Sequence, residues 1–299
     1  VTGQPHRVGA ELLDDVDVRA LADFRERYGD VTLGGLTVVI AAYNEAANIA
    51  EVLRGIPTAV SGLTVKTLVV DDGSSDGTAD AAAGAGVDGV FVCTPRRNRG
   101  QGAALRLGYH VAKTHGAIFI ATTDADGQYD STEFPLIVAP LVDDSADFVT
   151  GSRRLGLYTT DDVVRHAGVH VFARVLSVIA RRRVTDTSNG FRAFRADLVD
   201  HLILEQPQYQ ATELLIGVIY RGFRVVEVGT SMHQRTSGTS KKGPNLVYGY
   251  RFGRVILRTW LRELMRNRRE GRRLFHAPPP MRSLPGLSDG RTEPAADAG

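Results

Sequence analysis

Residues 117–130 read AIFIATTDADGQYD, a short apolar run that ends in Asp124, Asp126 and Asp130. A run this short, rich in Ile and Phe and closed by turn residues, reads as a buried strand. Carboxylates crowded at its end repel one another unless a cation or N–H donors lie among them. A calcium-binding EF-hand loop needs Gly at its sixth position and Glu at its twelfth. Counted from Asp124, those positions hold Tyr129 and Pro135, and a strand rather than a helix comes first. That excludes the EF-hand. What remains is Asp-x-Asp-x-Gln, with hard oxygen ligands from Asp124, Asp126 and Gln128. That donor set suits Mg²⁺ or Mn²⁺, which fill their shells with water and phosphate oxygens. Asp130 or Ser131 reads instead as the N-cap of the helix that follows.

The same alternation extends in both directions. LTVVIAA (36–42), VKTLVVDD (65–72), DGVFVC (88–93) and ADFVTGSR (146–153) read as further buried strands. Helical patterns separate them: EAANIAEVLRGI, GTADAAAGAG, GQGAALRLGYHVAKTHG and STEFPLIVAPLV. Buried strands alternating with helices imply an α/β chain, a mostly parallel sheet with helices on both faces. Past residue 155, VVRHAGVHVFARVLSVIARRR and YQATELLIGVIYRG read as helices and FRVVEVGT as a strand. TDTSNGFRAFR reads as a loop with a short strand, and HQRTSGTSKKGPN as a basic loop. LVYGYRFGRVILRTWLRELMRNRREGRR closes as a long basic amphipathic helix.

The polar clusters fall just after strands: YNE, DDGSSDGT, DADGQ and GSRR. In open α/β sheets the crevice at the carboxyl edge of the strands is where ligands bind. Asp72 is placed there to accept hydrogen bonds from a base or ribose, whereas Asp76 or Ser75 reads as a cap for the helix near Thr78. Tyr43 and Glu45 offer an aromatic face and a carboxylate at the neighbouring strand end. NRGQG opens a helix, where backbone N–H groups favour an anion. It is not the dinucleotide fingerprint, because GQGAAL lacks the third glycine.

The chain has 299 residues, 43% hydrophobic and 23% charged, enough for a sizeable core. Its formal net charge is only +2, yet the last third is strongly basic and the segment ELLDDVDVRALADFRERYGD leans acidic. The basic part points to an anionic partner. The single cysteine, Cys93, excludes an internal disulfide and accords with a reducing compartment. No window reaches the roughly 18 apolar residues of a spanning helix, and the first residues do not pattern as a signal peptide.

The motifs AAYNE, VVDDGSSDGT, NRGQGAALRLG, DADGQYD, GSRR, DTSNGFRAF and RTSGTSK, in this order, resemble those of family-2 inverting glycosyltransferases. Within that family they are most similar to the polyprenyl-phosphate (dolichol-phosphate) mannosyl- and glucosyltransferases. The resemblance spans Leu36 to Lys242. It implies a GT-A, nucleotide-diphospho-sugar transferase-like fold and a nucleotide-diphosphate sugar donor such as GDP-mannose or a UDP-hexose. It assigns Ala41, Tyr43, Glu45, Val70 and Asp72 to nucleoside binding, and Asp124, Asp126 and Gln128 to the Mg²⁺ or Mn²⁺ that bridges the diphosphate, with Ala125 behind the nucleotide. Arg153, Arg235 and Lys241 would hold the diphosphate or an acceptor phosphate, and Arg165 matches a further phosphate-binding arginine. Asp126, Arg153, Arg235 and Lys241 are the residues expected to carry catalysis. The chain departs from the pattern at Ala41, usually Pro, at Gln101, commonly Lys, and at Asn189, usually Ser; the paired C-terminal spanning helices of many relatives are not found.

The implied reaction is displacement at the anomeric carbon with inversion, and polyprenyl phosphate is the implied acceptor. A phosphate acceptor is already anionic and needs no base. A soluble saccharide or small-molecule hydroxyl, the alternative acceptor, would need one, such as Glu213 or Asp186. A non-catalytic sugar-nucleotide-binding protein and a nucleotidyltransferase fit the motifs less well; the latter lacks its Gly-rich, Arg-bearing N-terminal loop. Nucleic acid is not an expected partner. The expected organisation is a helical extension (1–34), a GT-A domain (35–243), a basic amphipathic helix (244–276) and a disordered tail (277–299). Residues 246–275 can lie on an anionic membrane, giving a cytoplasmic, peripheral location. The rival role for that helix is packing on the domain or on a second subunit of a homo-oligomer. Arg266, Arg268 and Arg269 read as solvated surface residues.

Overall fold

The computed structural model describes residues 13–156, 163–233 and 245–271, and side chains for 13–156, 171–233 and 249–271. The expected tail therefore lies outside the described residues. Eight strands form one mixed sheet: β1 (Leu36–Ala42), β2 (Ala59–Val60), β3 (Leu63–Asp71), β4 (Val90–Cys93), β5 (Phe119–Thr122), β6 (Phe148–Ser152), β7 (Arg192–Arg195) and β8 (Val225–Gly229). Their order is β2-β3-β1-β5-β7-β6-β8, with β4 also against β3. β1 runs parallel to β3 and β5, β3 to β4, and β6 to β8, whereas β7 is antiparallel to both β5 and β6. The expected strands are present: β1 has the expected bounds, β3 begins two residues earlier, and the others are shorter. β2 was not among them: it forms a hairpin with β3 through Ser61 and Gly62, both at positive φ, the backbone that matches the twist of paired strands.

Helices cover both faces. α2 (Ile49–Gly55), α3 (Thr78–Ala83) and α5 (Phe134–Val142) bury Ile49, Leu53, Ala82, Ile137 and Leu141 on one side, against Val38, Ile40, Val69 and Phe119. On the other side lie α1 (Asp15–Tyr28), α4 (Gln101–Thr114), α6 (Val163–Ala180), α7 (Gln210–Tyr220) and α8 (Asn245–Arg269), which bury Phe24, Leu107, Leu176, Leu214 and Phe252 with Val39, Val70 and Phe148. β1 serves both cores because successive side chains of a strand point to opposite faces. Gly108 lets α4 lie directly on the sheet, since a Cβ there would stand 2.4 Å from Val39 Cγ1.

α8 is fixed by charge as well as packing. α8 buries Phe252, Val255 and Ile256, so packing on the domain accounts for that part of its apolar face. Arg262 donates to Glu213 (2.8 Å), Glu205 (3.0 Å) and the Ile203 carbonyl (2.7 Å). Arg221 pairs with Glu263 and Glu270. Arg266, read as solvated, instead donates to the His201 carbonyl and Glu270, and its side chain is only 16% exposed. Arg268 and Arg269 are exposed as expected. Among the described residues no helix is long and apolar enough to cross a membrane.

Candidate active site

The strand tips bring the expected residues to one edge. Ala41 on β1 is in register with Val70 on β3, and Ala42 with Asp71. The loops that follow interlock. Asn44, at φ 52°, donates its N–H to Ser74 Oγ (2.8 Å) and accepts from the Ser75 N–H (2.9 Å). The Glu45 N–H donates to Thr78 Oγ1 (2.9 Å), and Asn48 Nδ2 to Glu45 Oε2 (2.8 Å). Tyr43 is left 37% exposed at this edge. Asp76 accepts from the Thr78 N–H, so it caps α3 from one position before the N-cap, which is Gly77 at φ 87°.

Asp72 is buried. Its Oδ2 accepts the N–H groups of Arg99 (2.9 Å) and Gly100 (2.7 Å), while Oδ1 is buried with no protein partner. Burial raises its pKa, opposed by those two N–H donors and by the Arg99 charge. A buried carboxylate oxygen without a donor is costly, and a ligand hydroxyl or ring N–H would satisfy it.

At the β5 tip, Asp124 Oδ1 accepts from Gln101 Nε2 (3.0 Å), and Asp126 Oδ1 from the Gln128 N–H (3.2 Å). Gln128 donates its amide nitrogen to the His233 carbonyl (2.9 Å), which leaves Oε1 as the atom it could offer a cation. Ala125 is buried between the two acids. Asp130 caps the 3₁₀ turn at Ser131–Glu133 through the Thr132 N–H, as expected. A Cβ on Gly190 would stand 2.9 Å from Asp124 Oδ1, so the β6–β7 half of the sheet closes on this carboxylate only because residue 190 is glycine. A cavity of about 210 Å³ adjoins Asp124 and Asp126, lined also by Asn48, Val52 and Tyr129. That is below the roughly 300–1,000 Å³ of a whole ligand pocket and suits a part of one.

The donor set fits a divalent cation of the Mg²⁺ or Mn²⁺ type. Among the described residues no three or more His, Cys, Asp or Glu side chains gather as a metal group. Two carboxylates and an amide oxygen, with space kept open by Gly190, are what an ion that keeps water and phosphate ligands requires.

Other expected residues are engaged within the protein itself. Arg153, expected to hold a phosphate, is buried, and its guanidinium donates to Asp186 Oδ2 (2.6 Å), Asp186 Oδ1 (2.7 Å) and Ser188 Oγ (2.8 Å). It braces the 186–190 loop, the segment that brings Gly190 to Asp124. Neither carboxylate suggested as a base is available. Asp186 is held by Arg153, whose charge overrides burial and keeps its pKa low. Glu213 accepts the N–H groups of Glu205 and Gln206 as well as Arg262. Arg235 and Lys241 lie outside the described residues. Arg165 lies on α6 with its side chain outside them. Arg99, Gln101 and Gly190 were not singled out as site residues. Their signal was the glycine-bearing NRGQG and SNG turns, which show close approach without naming what approaches.

The chain belongs to glycosyltransferase family 2: the Glycosyl transferase family 2 model matches residues 37–203. It is therefore a glycosyltransferase. It is 35% identical to an uncharacterized glycosyltransferase of Mycobacterium tuberculosis over 71% of this chain and 91% of that protein. It is 30% identical to the polyprenol monophosphomannose synthase of Mycolicibacterium smegmatis over 70% of this chain and 82% of that protein. Its fold is GT-A: it superposes with a TM-score of 0.57 on the M. tuberculosis glucosyl-3-phosphoglycerate synthase crystallised with Mn²⁺, UDP and glucosyl-3-phosphoglycerate, at 20% identity over 88% of this chain and 86% of that one.

Proposed function

We propose that this glycosyltransferase moves a hexose from GDP-mannose or a UDP-hexose to polyprenyl phosphate, with inversion and with Mg²⁺ or Mn²⁺. The observation that carries the donor half is the pairing of Asp72 and Asp124: one segment, 99–101, donates to both, and one offers an unsatisfied buried oxygen while the other borders an open cavity. Asp72, with Tyr43, Glu45, Ala41 and Val70 at the same tips, takes the nucleoside. Asp124, Asp126 and Gln128 hold the cation, and Ala125 backs the nucleotide. The chemistry that a divalent cation would supply there is neutralisation of charge on the departing diphosphate. An acceptor phosphate oxygen bonds the anomeric carbon as the carbon–oxygen bond to the diphosphate breaks, and the electron pair leaves with the nucleoside diphosphate. Arg235, Lys241 and Arg165 are the cations proposed to meet these phosphates.

The engagement of Asp186 and Glu213 supports a phosphate over a hydroxyl acceptor, since a phosphate needs no base. A polyprenyl-phosphate relative at 30% identity supports it too. The exposed residues of α8 suit a membrane-bound acceptor: Leu257, Leu261 and Met265 are 52%, 41% and 51% exposed, with Arg254, Arg258 and Arg268 along the same helix. Such a face lies on an anionic bilayer, giving a peripheral location on the cytoplasmic side.

The test is a panel of nucleotide sugars with Mn²⁺ or Mg²⁺, offered polyprenyl phosphate in anionic vesicles or soluble sugars. Transfer of hexose to the lipid is expected, reduced in a Leu257→Glu/Leu261→Glu variant. Transfer only to soluble hydroxyls would replace the acceptor assignment, and undiminished activity in that variant would remove the membrane face.

A further inference from the structure

The N-terminal helix lies outside the matched family region, yet it touches the donor edge. Asp14 and Asp17 form a capping box: Asp14 accepts the N–H groups of Val16 and Asp17, and Asp17 accepts the Asp14 N–H. Both carboxylates also receive one guanidinium. Arg99 Nη1 lies 2.8 Å from Asp14 Oδ1 and Nη2 2.7 Å from Asp17 Oδ1, with Asp17 only 1% and Arg99 11% exposed. Burial alone would lower the Arg99 pKa, and the Asp17 and Asp14 carboxylates override it and raise it. The backbone of this arginine is what holds Asp72, through the Arg99 and Gly100 N–H groups. The next residue, Gln101, holds Asp124.

We propose that α1 is a positioning element for donor binding: its Asp14–Asp17 cap fixes Arg99, and thereby the 99–101 backbone that orients Asp72 and Asp124. This rests on the donor-site reading given above. The Arg99 guanidinium is taken up by Asp14 and Asp17, so Arg99 acts through the backbone N–H groups. A second tether shows what mere attachment looks like. Arg96 pairs with Asp23 of α1 at 3.2 Å, but both side chains are solvated, at 81% and 46% exposure. That pair also joins α1 to the loop, at a point three residues short of the donor contacts. Exposed pairs contribute little, whereas buried charge-assisted pairs fix geometry.

The experiment compares wild type, Arg99→Ala, Arg99→Lys and Arg96→Ala as full chains. Binding of UDP and of GDP with Mn²⁺ is measured by calorimetry, and amide exchange of residues 99–101 without nucleotide. Arg99→Ala is expected to weaken nucleotide binding about tenfold and to speed exchange at residues 99 and 100. Its donor KM should rise more than its kcat falls. Arg99→Lys should recover part of the loss, and Arg96→Ala should match wild type. If Arg99→Ala does not fold, Asp14→Asn, which removes the more exposed partner, takes its place with a smaller effect in the same direction. Unchanged affinity and exchange in the Arg99 or Asp14 variant overturns the inference, as does an equal loss in Arg96→Ala. A wild-type chain that binds neither nucleotide overturns the donor-site reading itself, and this inference with it.

Discussion

The two halves of the sheet edge treat their carboxylates in opposite ways. On the parallel half, the donors to Asp72 and Asp124 described above are neutral N–H groups: Arg99 N, Gly100 N and Gln101 Nε2. On the half built by β6 and β7, Asp186 receives a bidentate guanidinium from Arg153. Neutral donors orient an acid and leave its charge in place, whereas a buried guanidinium cancels it. The first half holds its carboxylates by neutral donors, and the second is a structural unit that shapes its wall. Gly190 is where the two meet.

The largest expected effect sets the halves apart. Asp124→Ala should lower turnover by roughly 10³-fold with little loss of thermal stability, because it removes one of several neighbouring negative charges. Asp186→Asn should do the reverse, costing about 3–5 kcal/mol of stability by leaving Arg153 buried without its counter-charge. Urea unfolding of both variants beside steady-state kinetics checks this. Comparable stability losses would erase the distinction.

The pH dependence of stability should differ in sign between the halves. Arg153 holds the native pKa of Asp186 below its ordinary value. Its contribution is therefore complete above the unfolded value near 3.9 and is lost as pH falls through the depressed native pKa. The stability gap between wild type and Asp186→Asn should be wide at neutral pH and narrow in acid as pH falls through that depressed native pKa. Asp72 is raised by burial, so its ionised form opposes folding. That opposition is present above its native pKa and is relieved as pH falls through it. An Asp72→Asn variant should lose the relief.

The smallest effect sits at the junction. Gly190→Ala should press a methyl group against Asp124 and raise the Mn²⁺ concentration for half-maximal activity by about tenfold, with kcat and thermal stability changed less. An unaltered Mn²⁺ dependence would show that the two halves do not meet functionally at this glycine.

Much of this was legible before any coordinates. Short apolar runs marked the strands, and polar clusters after them marked the edge, because a buried strand has few sequence forms and its ligand loops must follow it. The Asp130 cap was equally local. The two-residue β2 escaped, being too short for any periodicity, although Ser61 and Gly62 carried a turn signal. The place of β7 escaped as well: a strand inserted antiparallel between β5 and β6 is set by pairing of residues far apart in the chain, as between Thr122 and Arg192, which local pattern does not encode.

The arginines divide most sharply. Sequence alone established that Arg153, Arg235, Lys241, Arg262 and Arg266 are cations. It could not show which of them the protein itself neutralises, because that depends on carboxylates far away along the chain: Asp186 for Arg153, Glu213 for Arg262, Asp14 and Asp17 for Arg99. Residue type and spacing determine which groups carry charge and where strands and caps form, since those forces act within a few residues. Whether a charge faces a ligand or a buried partner was decided only by the tertiary structure, because folding chooses which distant groups are desolvated together.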